Sequence, residues 1–378
     1  MFVKELFLTN FRNYKEANFS FHEKINLILG DNARGKTNLL ESIYLSSLGK
    51  SFRSVKDVEM IRFEAELCKV KVVAEREESE KKVEIIINKE EKTIKKDGLK
   101  IKKTSELVNH ILIVVFSPED LKIVKDNPEK RRSFMDRELC QIKPSYYANL
   151  VLYKRALSQR NACLRENEVN ENMIGVWDDQ LAAYGAKVIA EREKFVEKLN
   201  RISGEIHRNI TDDKEKLEIF YEANVPFRGG TQEQVETLRS ELEKSLVKDS
   251  ARGATSVGPH RDDLRIDIND VDSKRFGSQG QQRSAALSMK LAELVLIEEE
   301  TGEKAILLLD DVLSELDAGR QAFLIRSMRP AQLFITATDI GESVRKTLSD
   351  GDIFYMGEDG QKIEGLENSC RKSIFDVQ

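Results

Sequence analysis

The chain has 378 residues, with 61 Lys and Arg against 66 Asp and Glu, so its formal net charge is −5. A 40% hydrophobic fraction excludes global disorder, and the length allows two or three domains or one domain carrying an insertion. Cys68, Cys140, Cys163 and Cys370 form no CxxC pair, which excludes a disulfide framework and an obvious zinc site and predicts a reducing, cytoplasmic setting. No window approaches the ~20 apolar residues of a membrane span, and the opening MFVKELFLTNFRNYK lacks a signal-peptide core, so no membrane partner is expected.

In chain order, apolar runs of strand length and β-branched content fall at 2–8, 25–29, 67–73, 83–87 and 111–116, with a helix predicted over 37–48. The charge-rich stretch 75–103 alternates around Val83, Ile85 and Ile87 and predicts a solvated β-hairpin. After Pro118 the period changes, and residues 121–250 read as helical throughout. Trp177, Leu181, Tyr184, Val188, Phe195, Leu199, Ile202 and Ile206 recur at three-, four- and seven-residue steps, one apolar seam on a long helix. Strand-like runs return at 264–268, 306–309, 333–336 and 353–356. The expected fold class is α/β. One α/β lobe is expected, split in sequence as 1–117 plus 255–378, with a helical lobe and short coiled-coil-like arm inserted at 118–254.

The strand at 25–29 runs directly into Gly30-Asp31-Asn32-Ala33-Arg34-Gly35-Lys36-Thr37 and then into the helix. Two glycines permit a tight turn in which successive backbone N–H groups converge on phosphate oxygens at a helix N-terminus. Lys36 supplies charge to the β- and γ-phosphates, and the Thr37 hydroxyl is placed to ligate Mg²⁺, so ATP and Mg²⁺ are the expected cofactors. A second apolar strand ends in Asp310-Asp311. Ligands gather at such strand ends; Asp310 is the natural outer partner of the metal, and Asp311 could position the attacking water.

Phe276-Gly277-Ser278-Gln279-Gly280-Gln281-Gln282-Arg283 opens a further amphipathic helix running to about Glu299. An SxGQQ segment followed by an aspartate strand, and then by Ser314-Glu315-Leu316-Asp317, has the order of signature, acidic strand and D-loop in ABC-type ATPases. There the signature serine and glycine reach the γ-phosphate bound on the opposite subunit. Ser278, Gly280 and Gln281 are therefore expected to act in trans across an ATP-dependent homodimer.

With FRNY at 11–14, PEDLKIVKDNPEKRRSFMD at 118–136, GPHRDDL at 258–264 and LLLDDVLSELD at 307–317, the chain resembles the RecF family of SMC-like bacterial DNA repair ATPases over nearly its whole length. The resemblance implies an ABC-type head, ATP-gated dimerisation, binding to duplex or gapped DNA, and work with the RecO and RecR mediators in recombinational repair, replication restart and SOS induction. It also implies that Arg12 and Asn13 lie near the nucleotide. Four departures stand out: Gln279 where many ABC proteins have glycine, Asp311 where most have glutamate, Thr336-Ala337-Thr338-Asp339 in place of a switch histidine, and Ser117-Pro118-Glu119-Asp120 in place of a Q-loop glutamine. Together they predict slow hydrolysis, a timed clamp with weak, DNA-stimulated turnover. A transporter's ATPase subunit would carry the signature nearer the loop and the switch histidine. A long-armed SMC protein would need a far longer insert. A nucleotide-bound scaffold that never hydrolyses would differ from the clamp in turnover.

DNA affinity comes mainly from phosphate neutralisation, which an acidic chain must concentrate in a patch. The candidates are Lys50 and Arg53 past the phosphate-loop helix, and Lys122, Lys125, Lys130, Arg131 and Arg132 at the entry to the helical lobe. His260 is assigned no chemical role, and Arg261 suits either a carboxylate or DNA.

Overall fold

The structure is a computed structural model and describes residues 1–357 except 55, 78, 167–169, 227–228, 328–331 and 339–350. Cys370, Asp339 and the end of the predicted ATPase lobe lie outside the described residues. In chain order the strands and helices are β1 (Phe2–Phe11), β2 (Tyr14–Ser20), β3 (Ile25–Leu29), α1 (Lys36–Leu48), β4 (Leu67–Arg76), β5 (Ser79–Asn88), β6 (Lys92–Lys96), β7 (Leu99–Lys100) and β8 (Ile113–Phe116). Then come α2 (Pro128–Ile142), α3 (Pro144–Cys163), α4 (Glu171–Thr211), β9 (Leu217–Glu222), α5 (Thr231–Arg252), β10 (Asp263–Ile268), β11 (Val271–Asp272) and α6 (Ser273–Phe276). The chain continues through α7 (Gln279–Thr301), β12 (Ile306–Asp310), α8 (Ala318–Ser327), β13 (Leu333–Ala337) and β14 (Gly351–Tyr355). Two units result, one of Met1–Asp120 with Ile297–Gln378, the other Leu121–Leu296.

The first unit packs α1 between two sheets. An antiparallel sheet has the order β2-β1-β4-β5-β6-β7, and a parallel sheet the order β14-β3-β13-β12-β8. Strands buried on both faces read as continuous apolar runs, as β12 and β13 do, whereas β5 alternates because only one face is covered. The predicted charged hairpin is real: Val83, Ile85 and Ile87 point inward, and on the solvent side Glu84 bridges Lys69 and Lys95 at 3.2 and 2.8 Å. Helix α1 is buried along nearly its whole length, so it carries no polar face. Its serines satisfy themselves inside the core, Ser42, Ser46 and Ser47 each donating to the carbonyl three residues back at 2.7, 2.7 and 3.0 Å.

The second unit corrects two sequence-based expectations. The segment 121–250 is not helical throughout, because the alternating six residues of β9 form a strand. The boundary expected near 255 lies inside this unit, since β10 pairs antiparallel with β9 from Asp263↔Glu222 to Ile268↔Leu217. The predicted seam lies on α4, one helix of 41 residues, or ~60 Å. Arg160, fully buried on α3, donates to Asp178 of α4 at 2.5 Å and Asp249 of α5 at 2.8 Å. Arg192 of α4 likewise holds Asp136 and Asp262 at 2.8 and 3.1 Å. Removing one partner from such a pair strands a buried charge, so these contacts define which helix faces meet.

His260 belongs to this framework. Tyr153 Oη lies 2.6 Å from its Nδ1, and its Nε2 lies 3.0 Å from the Thr255 carbonyl, an arrangement that suits the neutral ring. Burial pushes the ring from its ordinary 6.5 down to about 4, with Arg261 and Arg132 adding to the effect. A depressed histidine supports the fold fully above the unfolded value and loses that support as pH falls toward the folded one, here up to about 3 kcal/mol. Urea unfolding should therefore show wild type losing stability relative to His260→Gln between pH 6.5 and 4; parallel curves would contradict it.

Candidate nucleotide site and signature segment

The loop after β3 is shaped by contacts that leave no room for side chains. At Gly30, with φ 155°, a Cβ would lie 2.8 Å from the Met356 carbonyl; at Gly35, with φ 93°, it would lie 2.5 Å from Asn13 Nδ2. Tyr14 Oη donates to the Gly35 carbonyl at 3.0 Å, and Asn38 Nδ2 donates to Asn13 Oδ1 at 2.8 Å, so Asn13 braces the loop and the first turn of α1. Asp31, Asn32 and Ala33 are exposed and Arg34 is half-buried. Lys36 turns inward, its Nζ donating to the Gly30 and Asp31 carbonyls at 2.6 and 3.1 Å. No side chain caps α1 at Gly35, and its first N–H groups have no intrahelical acceptor, the arrangement that receives anions.

Between β3 and β12 runs β13, so the two strand ends are two inter-strand spacings apart, ~10 Å. The start of α1 closes that gap. Thr37 Oγ1 donates to Asp310 Oδ1 at 2.7 Å across 273 residues of sequence. Thr336 lies on the intervening strand, and its Oγ1 is 3.1 Å from the same Asp310 oxygen while accepting the Asp311 N–H at 2.9 Å. Burial pushes the Asp310 carboxyl above its ordinary range and Asp311 adds to this, opposed by the hydrogen bonds from Thr37 and Thr336 and the charge of Arg53. Asp311 takes a left-handed conformation, φ 54°, which turns the chain sharply out of β12 and separates the directions of the two acids. Ser314 donates to the Asp311 carbonyl at 2.7 Å, and Asp317 accepts the Arg320 N–H at 3.0 Å at the start of α8.

Arg12 directly precedes Asn13, which touches Gly35. Its guanidinium is held by α1 and the segment after it: Nε and Nη2 fork onto the buried Glu41 carboxylate at 2.9 and 2.7 Å, Nη1 donates to the Glu59 carbonyl at 2.7 Å, and Ser54 accepts as well. Glu41, Tyr14 and Thr336 are thus site-supporting residues that motif reading passed over or misassigned. Glu41 carried a faint signal, a lone acid within the apolar run of α1.

Ser278, Gly280 and Gln281 belong to the second unit. Ser278 is exposed, and it forms a reciprocal cap on α7: Gln281 N–H donates to Ser278 Oγ at 3.2 Å, and Ser278 N–H donates to Gln281 Oε1 at 2.9 Å. Gln282 ties back to the Ser273 carbonyl at 2.8 Å.

The basic candidates separate. Lys50, Lys122, Lys125 and Lys130 are exposed. Arg53 is exposed too, and donates to Asn38 Oδ1 at 3.0 Å beside the phosphate loop. Arg131 is not a surface cation: it is 1% exposed, forks onto Asp263 at 2.6 and 2.8 Å, and donates to the Asp126 carbonyl at 2.6 Å. Arg132 is half-buried and donates to the Asp262 carbonyl at 2.7 Å. Exposed Arg261 donates to the Thr255 carbonyl at 2.9 Å. Among the described residues, no helix is long and apolar enough to cross a membrane.

Phosphate loop, acidic strand and signature-bearing helix together define an ABC-type ATPase head of the SMC kind, and the family described as RecF/RecN/SMC N terminal domain matches residues 2–347. The head domain of the Pyrococcus furiosus Smc protein shares the fold, with a TM-score of 0.53 at 15% identity over 99% of this chain and 98% of that one. The chain is 45% identical to the DNA replication and repair protein RecF of Clostridium tetani, over 96% of this chain and 100% of that protein. It is 44% identical to RecF of Alkaliphilus oremlandii, over 95% and 99%. A solved structure of the recombination mediator protein RecF-ATP in the RecFOR pathway superposes with a TM-score of 0.88 at 40% identity, covering 96% of this chain and 97% of that one. The chain belongs to the RecF family of DNA replication and repair proteins.

Proposed function

We propose that the chain is an ATP-gated DNA clamp of recombinational repair and replication restart, a slow ATPase whose turnover DNA stimulates. The observation that carries this reading is the 2.7 Å contact of Thr37 with Asp310, which joins the phosphate loop to the acidic strand. Gly30, Asp31, Asn32, Ala33, Arg34, Gly35, Lys36 and Thr37 would hold the ATP phosphates, with Asn13 supporting the loop and Arg12 acting through Glu41. The donor set suits Mg²⁺: a hydroxyl and a carboxylate, both hard oxygens, few enough to leave positions for waters and phosphates. Thr37 and Asp310 would hold that ion, which supplies charge neutralisation at the phosphates when bound. Asp311 would position the attacking water, and its short side chain supports slow turnover.

Exposed Ser278, with Gly280 and Gln281, would meet ATP held by a second chain, so that nucleotide drives homodimerisation. Recombinase loading at gaps with RecO and RecR, support of SOS induction and a cytoplasmic setting complete the reading, each drawn from the family. For DNA, the surface candidates after the structural correction are Lys50, Arg53, Lys122, Lys125 and Lys130. The test is ATP turnover and dimer formation titrated with single-stranded, duplex and gapped DNA. A Lys122→Glu, Lys125→Glu, Lys130→Glu variant should bind duplex at least tenfold more weakly with a flatter salt slope, while ATP binding and melting stay at wild-type values. Unchanged affinity and slope would remove this group from the DNA surface, and equal dimer fractions with and without ATP would overturn gating.

A further inference from the structure

The side chain of Gln281 is held at both ends. Its Oε1 accepts the Ser278 N–H at 2.9 Å, and its Nε2 donates to Glu215 Oε1 at 3.0 Å. Glu215 lies in the turn after α4, and its other oxygen is 3.2 Å from Nε2 of His207, which is fully buried on the last turns of α4. The opposite ring nitrogen of His207 is 3.1 Å from Ser288 Oγ on α7, and Ser288 in turn donates to the Ser284 carbonyl at 2.8 Å. A continuous chain of polar contacts therefore runs from α4 through Glu215 to the exposed end of α7 and returns to α7 two turns further on.

That arrangement differs from an ordinary helix cap. A capping box needs only the serine and the glutamine, and an amide held only by its cap can rotate about its last torsion. Glu215 removes that freedom by engaging the Nε2 end, which fixes the Oε1 end on Ser278. His207 in turn occupies the second carboxylate oxygen, so Glu215 is itself oriented. A site performs when the groups that touch the ligand are locked by a supporting layer of hydrogen bonds.

Taking residues 278–282 as the segment that meets the ATP of a second chain, we infer that Glu215 and His207 are positioning residues of that segment, holding Ser278 through Gln281. They set the geometry with which the α7 terminus engages nucleotide, and they link that terminus to the end of the long helix α4.

The test uses the full chain and ATP, with dimerisation followed by light scattering, ATP binding by calorimetry below the dimerising concentration, and melting as the fold control. Glu215→Ala is expected to weaken ATP-dependent dimerisation about tenfold, the scale of one lost charged hydrogen bond, with ATP binding unchanged and melting lowered by only a few degrees, the cost of leaving the buried His207 Nε2 without its acceptor. Glu215→Gln keeps an acceptor for the Gln281 amide and should restore most of the loss, which a merely structural acid would not require. Because Glu215 acts through Gln281, adding Glu215→Ala to Gln281→Ala should cost nothing further. His207→Phe, similar in ring volume, should fall the same way, and Glu215 decides the matter if that variant does not fold. Wild-type dimerisation by Glu215→Ala, or full additivity in the double variant, would overturn the assignment. Ser278→Arg separates the two levels: a monomeric Ser278→Arg beside a normal Glu215→Ala sinks the positioning role alone, whereas normal dimerisation of Ser278→Arg sinks the trans reading beneath it.

Discussion

Replacing Lys36 by methionine is expected to weaken ATP binding by ~100-fold or more while leaving the fold intact. The ammonium is already inside the loop, 2.6 Å from the Gly30 carbonyl and 3.1 Å from that of Asp31, and the residue is 4% exposed. A cation buried against carbonyl dipoles is poised for phosphate oxygens, and charge-assisted hydrogen bonds of this kind are roughly twice as strong as neutral ones. Methionine keeps most of the side-chain length and removes the charge. The two carbonyls left behind belong to half-buried Gly30 and exposed Asp31, within reach of water, so the penalty falls on ligand binding rather than folding. Calorimetry with ATP and Mg²⁺, paired with a melting curve, checks both halves. Near-normal affinity in a folded Lys36→Met chain would show that the backbone N–H groups suffice.

The second large effect is on stability. Arg131→Glu is expected to destabilise the second unit by about 3–5 kcal/mol, the cost of breaking a buried pair, and to lower its melting point by roughly 10 °C. Arg131 loses more than one partner, because its fork onto Asp263 ties α2 to β10 and its Nη1 satisfies the Asp126 carbonyl. A glutamate there sets two carboxylates against each other in a poorly hydrated place. Lys130→Glu, one residue away and exposed, should shift melting little, since surface changes usually stay within ~0.5 kcal/mol. The pair of variants separates a structural arginine from a DNA-binding one. A normal melting point for Arg131→Glu, together with weakened DNA binding, would return that residue to the surface.

The contrast between these two residues shows what a sequence discloses. Lys36 sits in a contiguous motif whose spacing is itself the geometry, so loop, helix and metal-side hydroxyl were legible together, as was the acidic strand. Arg131 sits in a run of charges, and nothing local distinguishes a solvated helix face from a cation whose partner is 132 residues away. Arg12 shows the same limit: its motif sets it beside the loop, but the partner of its guanidinium, Glu41, lies 29 residues on. Thr336 was legible only as the residue standing where a switch histidine would be; that it holds both acids depends on the order of strands in the sheet. The boundary near 255 failed because β10 returns to pair with a strand left behind between two helices. Periodicity reports what a segment is, not which neighbour it will find.

The place of β3 has a consequence for how the protein is made. Its hydrogen-bonded neighbours are β13, where Leu333 pairs with Ile25, and β14, where Gly351 pairs with Ile25 from the other side. Both leave the ribosome some 300 residues after β3 does, a delay of about 15–60 s at ~5–20 residues per second. Throughout that interval an apolar strand waits with both edges open, and Gly30 waits for the carbonyl of Met356 against which its loop packs. The parallel sheet is therefore completed only after β14 has been made, with the high contact order that slows folding. The nucleotide loop, made some 300 residues before its last neighbours, acquires its shape only once they have followed, so a chain broken off before β13 carries the motif without the pocket.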